Sequence, residues 1–141
     1  MNLQFCVADA TDIPVIFTQA KDLIDRYEDI TTIDYDRVLA WVEKKIRSYI
    51  SEYRCVLVAG KKAAYYRLCE DGELDDVYVL TQFQGQGIGS EILKRCIAES
   101  PKNMYLYVFR NNIRAIDFYK RFGFTVQKSI GSTRFVMTRN G

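Results

Sequence analysis

Histidine is absent from the sequence. Its absence removes Ser-His-Asp and Cys-His nucleophile pairs and most zinc-binding sets at once. Acid–base chemistry then falls to carboxylates, tyrosines, lysines, a cysteine or water. Proline is scarce, at 2 of 141 residues, and no Ser/Gly-rich stretch marks a linker or a disordered tail. No repeat with the period of a solenoid or propeller occurs. Neither sign of charge dominates: the formal net charge is +2, so charge alone points to neither nucleic acid nor a membrane surface. The apolar runs are too short to span a bilayer, and the opening MNLQFCVADATD lacks the basic and apolar blocks of a secretion signal. Cys6, Cys55, Cys69 and Cys96 form no CxxC pair and read as reduced, mostly buried thiols of a cytoplasmic protein. A single soluble domain over residues 1–141 is expected, with no metal, nucleic-acid or membrane role.

What is present is periodic. Leu3 to Val7 predicts a strand, and Thr11 and Asp12 supply N-cap chemistry for a helix carrying Ile16, Ala20, Leu23, Ile24 and Tyr27. A second helix is predicted from near Asp34, with Val38, Leu39, Trp41, Val42, Ile46, Tyr49 and Ile50 as its apolar face. RCVLVAGKKAAYYRLCEDGELDDVYVL predicts three consecutive strands, with turns at Gly60-Lys61-Lys62 and Asp71-Gly72. A helix follows over about 87–100, stopped by Pro101, then a strand over Met104 to Phe109. NNIRAIDFYKRF reads as a short helix closed by Gly123, and two strands joined near Gly131 end the chain. The expected fold class is α/β (α+β), with a mixed, mostly antiparallel sheet of about seven strands flanked by about four helices.

The stretch TQFQGQGIGSEIL joins the third of these strands to a helix and places Gly85, Gly87 and Gly89 at every second position. Glycine weakens a helix start, so bare backbone there needs a reason. The first helical N–H groups lack partners and the helix dipole adds partial positive charge, which suits an anion such as a phosphate. A tight turn is the competing reading, although one glycine suffices for that. The stretch is not GxGxxG, because Ser90 stands where the third glycine belongs, and no Lys-Ser/Thr follows to make a P-loop.

A second motif supplies specificity. QGQGIG, Gln84 to Gly89, fits Q/R-x-x-G-x-G/A, follows DDVYV, and is followed one strand later by NNIRAIDFYKRFGF. Together these resemble the GNAT superfamily of acyl-CoA-dependent N-acyltransferases, and the likeness covers most of the chain. The resemblance implies acetyl-CoA as co-substrate and an amine acceptor as partner, with a homodimer left open. It implies that the backbone of Gln84, Gly85, Gln86, Gly87, Ile88, Gly89 and Ser90 holds the CoA pyrophosphate. The strand before it, through Val77 and Val79, would pair with pantetheine as an added strand would. Asn112 matches the family asparagine that contacts the cofactor, and it also reads as a helix N-cap.

The same resemblance places Tyr119 beside the CoA sulfur, as the acid for the departing thiolate. A phenol is protonated at neutral pH and suits that task, whereas a packing role suits Phe118 and Phe122. For the base, Glu73 falls where some histone-type members carry a catalytic glutamate; others use a different group or water. Strict alternation puts Glu73, Asp75, Val77 and Val79 on one face of the strand, with Asp76 and Tyr78 on the other. Tyr27, Glu28, Asp29, Tyr35 and Asp36 are candidate cation-binding groups on the acceptor side, and a solvated loop is the plainer alternative. Lys94, Arg95, Arg114, Lys120 and Arg121 are candidates for the 3′-phosphate, or simply exposed helix faces. A CoA-binding module without turnover and an interaction domain with an incidental glycine turn stand as competing functions.

Overall fold

The computed structural model describes residues 2–100 and 102–141. Its elements are β1 (Leu3–Val7), α1 (Ile13–Tyr27), α2 (Tyr35–Ser48), β2 (Arg54–Val58), β3 (Lys61–Leu68) and β4 (Leu74–Val79). There follow α3 (Ile88–Glu99), β5 (Asn103–Phe109), α4 (Ile113–Arg121), β6 (Thr125–Ile130) and β7 (Arg134–Asn140). The order is the expected one. Pro101, expected to stop α3, lies outside the described residues. No helix among the described residues is long and apolar enough to cross a membrane.

The strands form two antiparallel sheets, ordered β1-β2-β3-β4 and β5-β7-β6. An isolated parallel bridge between Glu73 and Tyr105 joins them. Around it the Tyr105 N–H donates to the Gly72 carbonyl at 3.1 Å, and the Tyr105 hydroxyl donates to Asp71 Oδ2 at 2.5 Å. Gly72 sits at φ +96, and a Cβ there would run into the Asn103 carbonyl, so the junction requires glycine. Beyond it β4 and β5 part, leaving a gap in what would otherwise be one sheet.

Two cores clasp the sheets. Ile88, Ile92, Leu93 and Cys96 of α3 pack with Leu74, Leu106, Tyr119 and Phe124 on one side. On the other, Ile13, Ile16 and Ala20 of α1 and Ile46 of α2 pack over Cys55, Tyr65 and Tyr78. Trp41, expected on the apolar face of α2, is instead 63% exposed. The α1 entry also differs from expectation. A 3-10 turn, Ala10–Asp12, leads into α1 and Asp9 caps that turn: its carboxylate accepts the Thr11 N–H, while the Asp9 N–H donates to Asp12, each at 2.9 Å. Asp12 itself is buried and accepts from Lys62 Nζ and the Tyr65 hydroxyl, both at 2.6 Å, tying α1 to β3. Burial alone would push its carboxyl up, but these hydrogen bonds outweigh it and hold it below the ordinary range.

The largest correction concerns β4. Tyr66 pairs with Val77, but Arg67 pairs with Asp75, so Asp76 is an extra residue in a bulge. Its φ is +60, a left-handed value that Asp tolerates better than most residues. Strict alternation therefore fails. Leu74, Val77 and Val79 face the α3 core, whereas Asp75 reaches α2, where Lys45 Nζ lies 2.8 Å from it. Glu73, Asp75, Val77 and Val79 do not share one face.

Candidate active site

A cavity of about 500 Å3 opens between α1, α2 and the two sheets, where β4 and β5 part. Asp76, Tyr78, Asn112 and Tyr119 line it, with Glu73 at the end nearer the bridge. The β4 edge facing this gap is unpaired by β-structure. The Leu80 N–H donates to the Ala63 carbonyl, so by alternation the polar groups of Val79 and Val77 turn the other way, into the gap. The Val79 carbonyl accepts from Gln84 Nε2 at 3.0 Å. Alternation likewise turns the Val77 and Val79 N–H groups away from β3. Both expected pantetheine positions thus present backbone where it could be read.

The glycine stretch ends at the start of α3. Gly87 is the N-cap at φ +83, and no side chain caps it. The N–H groups of Ile88, Gly89 and Ser90 are left without helical partners, and Glu91 is the first residue to bond back, to Gly87. Gly85, at φ +76, has open space where a Cβ would stand. Gly89 has another purpose: its missing Cβ admits the Phe118 ring, 3.4 Å from where that carbon would be. Two of the three glycines therefore take left-handed backbone ahead of α3, and the third brings α4 against α3. Gln86 Nε2 donates to the Gln82 carbonyl at 3.4 Å, holding the loop.

Asn112 caps α4, accepting the Ala115 N–H at 3.2 Å, and lines the cavity. Tyr119 packs edge-on to Phe118 and Phe124, at ring-centroid separations of 5.4 and 5.8 Å. Its hydroxyl makes no hydrogen bond among the described residues. Burial first, and the nearby Asp76 charge second, push the phenol well above its ordinary value, so it stays a proton donor. Of the five basic candidates, Lys94 and Arg95 are paired with Glu91 and Glu99, and Arg121 lies over the Phe118 ring.

Three acidic neighbours, Glu73 just before β4 and Asp75 and Asp76 on it, behave differently. Asp75 is clamped by Lys45 and by Arg67, the latter at 3.0 Å. Arg67 in turn holds Glu52 at 3.1 Å and stacks on Tyr49. Asp76 accepts the Tyr78 hydroxyl, at 2.7 Å, and is pushed up to about 7, by burial first and by Asp75 next. Glu73 has no ion pair among the described residues, and burial, followed by the Asp75 charge, pushes it up as well. Asp76 was missed by the alternation argument, which turned it away from Val77 and Val79. No local signal marks the bulge, because it exists only in register with β3. Among the five acceptor-side candidates, Glu28 lines the cavity; Tyr35 instead donates to Asp25. Tyr27 stacks on Phe109 at its rim.

An uncapped helix N-terminus thus follows an open strand edge, and a buried tyrosine lines the cavity beside them. A profile of the acetyltransferase (GNAT) family matches residues 19–124, and the chain belongs to that family. Over 36% of its length it is 41% identical to a spermine/spermidine N(1)-acetyltransferase of Bacillus subtilis. That match spans 37% of the relative's own length. Its fold is similar to that of the PaiA N-acetyltransferase of Thermoplasma acidophilum in complex with coenzyme A, with TM-score 0.70, 17% identity and 100% of both chains covered. An acetyltransferase from Thermus thermophilus is similar too, with TM-score 0.74, 19% identity, and 100% and 98% covered.

Proposed function

We propose that the chain transfers the acetyl group of acetyl-CoA to a primary amine by direct attack. The observation that carries this reading is one succession of features along the chain. The uncapped α3 N-terminus follows the open β4 edge, and the other end of that edge lines a cavity holding a proton donor and a near-neutral carboxylate. Family membership and an N-acetyltransferase relative support it.

Acetyl-CoA supplies a thioester carbon for the amine to attack and a thiolate to leave. The backbone N–H groups around Gly87 to Ser90 bind the pyrophosphate, with Gln84, Gly85 and Gln86 forming the loop that admits it. Val77 and Val79 hold the pantetheine amides through the β4 edge, and the Asn112 amide reaches the same channel. Asp76 accepts the proton that an alkylammonium must lose; with its carboxyl near 7, it can both hold and release that proton at neutral pH. Tyr119 donates its hydroxyl proton toward the departing sulfur. Glu73, a second unpaired carboxylate, favours a cationic acceptor in the cavity. The same proposal places the enzyme in the cytoplasm, where its free cysteines stay reduced.

Titration calorimetry with acetyl-CoA, followed by thiol release with a panel of amines, tests this reading. Binding with turnover supports it. Binding without turnover for any amine leaves a CoA-binding module, and no binding refutes the cradle.

A further inference from the structure

All four cysteines are free, and two of them meet across a strand pair. Cys6 on β1 stands directly opposite Cys55 on β2 in the antiparallel register. The adjacent pair, Phe5 with Val56, packs into the α3 core, so by alternation Cys6 and Cys55 share the face toward α1 and α2. Cys55 lies within the core on that face, 3% exposed. The Ala8 N–H donates to the Tyr53 carbonyl at 3.0 Å, two residues further along β1 and two back along β2. Cys6 and Cys55 are therefore a hydrogen-bonded pair, whose Cα atoms stand about 5.5 Å apart. Disulfides most often span about 5.5–6 Å between Cα atoms, so the backbone separation already fits one. The Cβ atoms of such a pair must close by about 1 Å. β1 is the edge of its sheet and can shift that far without disturbing a second ladder.

The pair is asymmetric. Cys6 is exposed and open to a reagent, whereas Cys55 is flanked in register by Tyr65 of β3 on one side and by Cys6 on the other. Tyr65 is pinned by Asp12, so the side of Cys55 that can give is the β1 side. Burial pushes the Cys55 thiol up, which leaves it inert toward reagents in solution and suits it to react second, at short range. The other two cysteines lack this arrangement. Cys96 is fully buried in the α3 core, on the opposite face of the sheet. Cys69 follows β3, and burial first, then the charges of Glu73, Asp75 and Asp71 against that of Arg67, pushes its thiol up to about 11.

We propose that Cys6 and Cys55 form a reversible disulfide, with a low-molecular-weight disulfide such as oxidised glutathione as the oxidant. The Cys6 thiolate attacks one sulfur of that reagent; the reagent's S–S bond breaks, one thiolate leaves, and Cys6 is held in a mixed disulfide. Cys55 then gives its proton to solvent, and its sulfur attacks Cys6 Sγ and expels the second thiolate. Two electrons pass from the protein to the reagent, which departs as two thiols. The new bond closes a loop that carries all of α1 and α2, the helices that wall the cavity. Because the Cβ atoms must be drawn together, the bond is strained and correspondingly easy to reduce, as a regulatory disulfide is. In a reducing cytoplasm the two thiols stay free, and the bond forms when the thiol pool turns oxidising. This inference stands independently of the transferase reading.

The test equilibrates the folded full chain in glutathione buffers from reduced to oxidised, quenches with acid, alkylates the remaining thiols and maps the peptides by mass spectrometry. The expected product is an intramolecular Cys6–Cys55 bond that accumulates as the buffer becomes oxidising and is reversed by dithiothreitol. Cys69 and Cys96 should still alkylate once the chain is unfolded. The oxidised protein should melt about 5 °C above the reduced one, the gain from loop closure less the strain. Cys6→Ser, at an exposed position, should fold normally and lose both the bond and the rise in Tm. Cys55→Ser should stop at the glutathione adduct of Cys6; if burial makes that variant unstable, Cys6→Ser and the parent's peptide map decide alone. A parent that stops at the Cys6 adduct with Cys55 still reduced overturns the proposal. So does a Cys6–Cys6 bond between two copies, a disulfide that Cys6→Ser retains, or equal melting of the oxidised and reduced forms.

Discussion

Replacing Asp76 by Asn should abolish most activity and at the same time stabilise the protein above neutral pH. Asn is the right replacement because it too tolerates the left-handed backbone at φ +60. Folding moves the Asp76 carboxyl from its ordinary 3.8 to about 7. A raised carboxyl means the folded state prefers the protonated form. Between those two pH values the unfolded chain ionises and the folded one does not, so stability falls as pH rises and then levels off above 7. The ceiling on that loss is about 4 kcal/mol. Water reaching a half-buried carboxylate reduces it, and we expect about 1–2 kcal/mol to be recovered in the variant at pH 8. For a domain of this size that is a rise in Tm of about 3–6 °C. At pH 4 the two proteins should melt together. Turnover at pH 7 should fall by about a hundredfold or more, in the range of lost general-base catalysis, with acetyl-CoA affinity retained. The parent rate should rise with pH through about 7, and Asp75→Asn should move that limb to lower pH by removing the neighbouring negative charge. Thermal melts at the two pH values and a pH–rate profile read all of this. A variant that keeps the limb, or melts lower at pH 8, would refute the role of Asp76.

Gly87→Asp should eliminate measurable acetyl-CoA binding by calorimetry, because it adds bulk and an anion at the uncapped α3 N-terminus. Tyr119→Phe should lower kcat by about ten- to a hundredfold while changing acetyl-CoA affinity little, since its hydroxyl is needed mainly as thiolate charge develops. Asp12→Ala should cost about 2–3 kcal/mol by denaturant melts, because it strips the buried Tyr65 hydroxyl and the Asp9 N–H of their acceptor, while half-exposed Lys62 can turn to water. In the parent, the Asp12 contribution should be present at neutral pH and lost as pH falls below about 4, because folding depresses that carboxyl.

The element order and the position of the cradle were legible because their signals are local. Gly85, Gly87 and Gly89 stand out against helical periodicity, and Gly60, Gly123 and Gly131 mark the turns they make. Tyr119 and Asn112 could be placed because NNIRAIDFYKRFGF carries a family pattern. The division of the sheet was not legible. It turns on where β4 and β5 cease to pair, beyond the junction of Gly72 with Asn103, residues from different elements whose contact no spacing announces. Asp76 was unreadable for a related reason: a bulge is a mismatch between two strands, and Arg67 and Tyr66 supply the other half of it. The exposure of Trp41 was hidden by helical periodicity, which assigns faces but not which stretch of a face finds a partner.

The split into two sheets also bears on how the chain reaches this state. One sheet is drawn entirely from residues before α3 and the other entirely from residues after it. Within the second, β6 and β7 form a hairpin, and β5 joins β7 across α4 and β6. Within the first, β2, β3 and β4 follow one another directly, but β1 must find β2 across two intervening helices. Closing that longest loop carries the largest entropic penalty of any strand pairing here. The two hairpin blocks can therefore form from nearby residues, while the pairing of Leu3 with Val58 is the late, rate-limiting kind. Removing a few residues at β1 should then alter the folding rate through the edge of the first sheet, a long way from the seam where the chemistry sits.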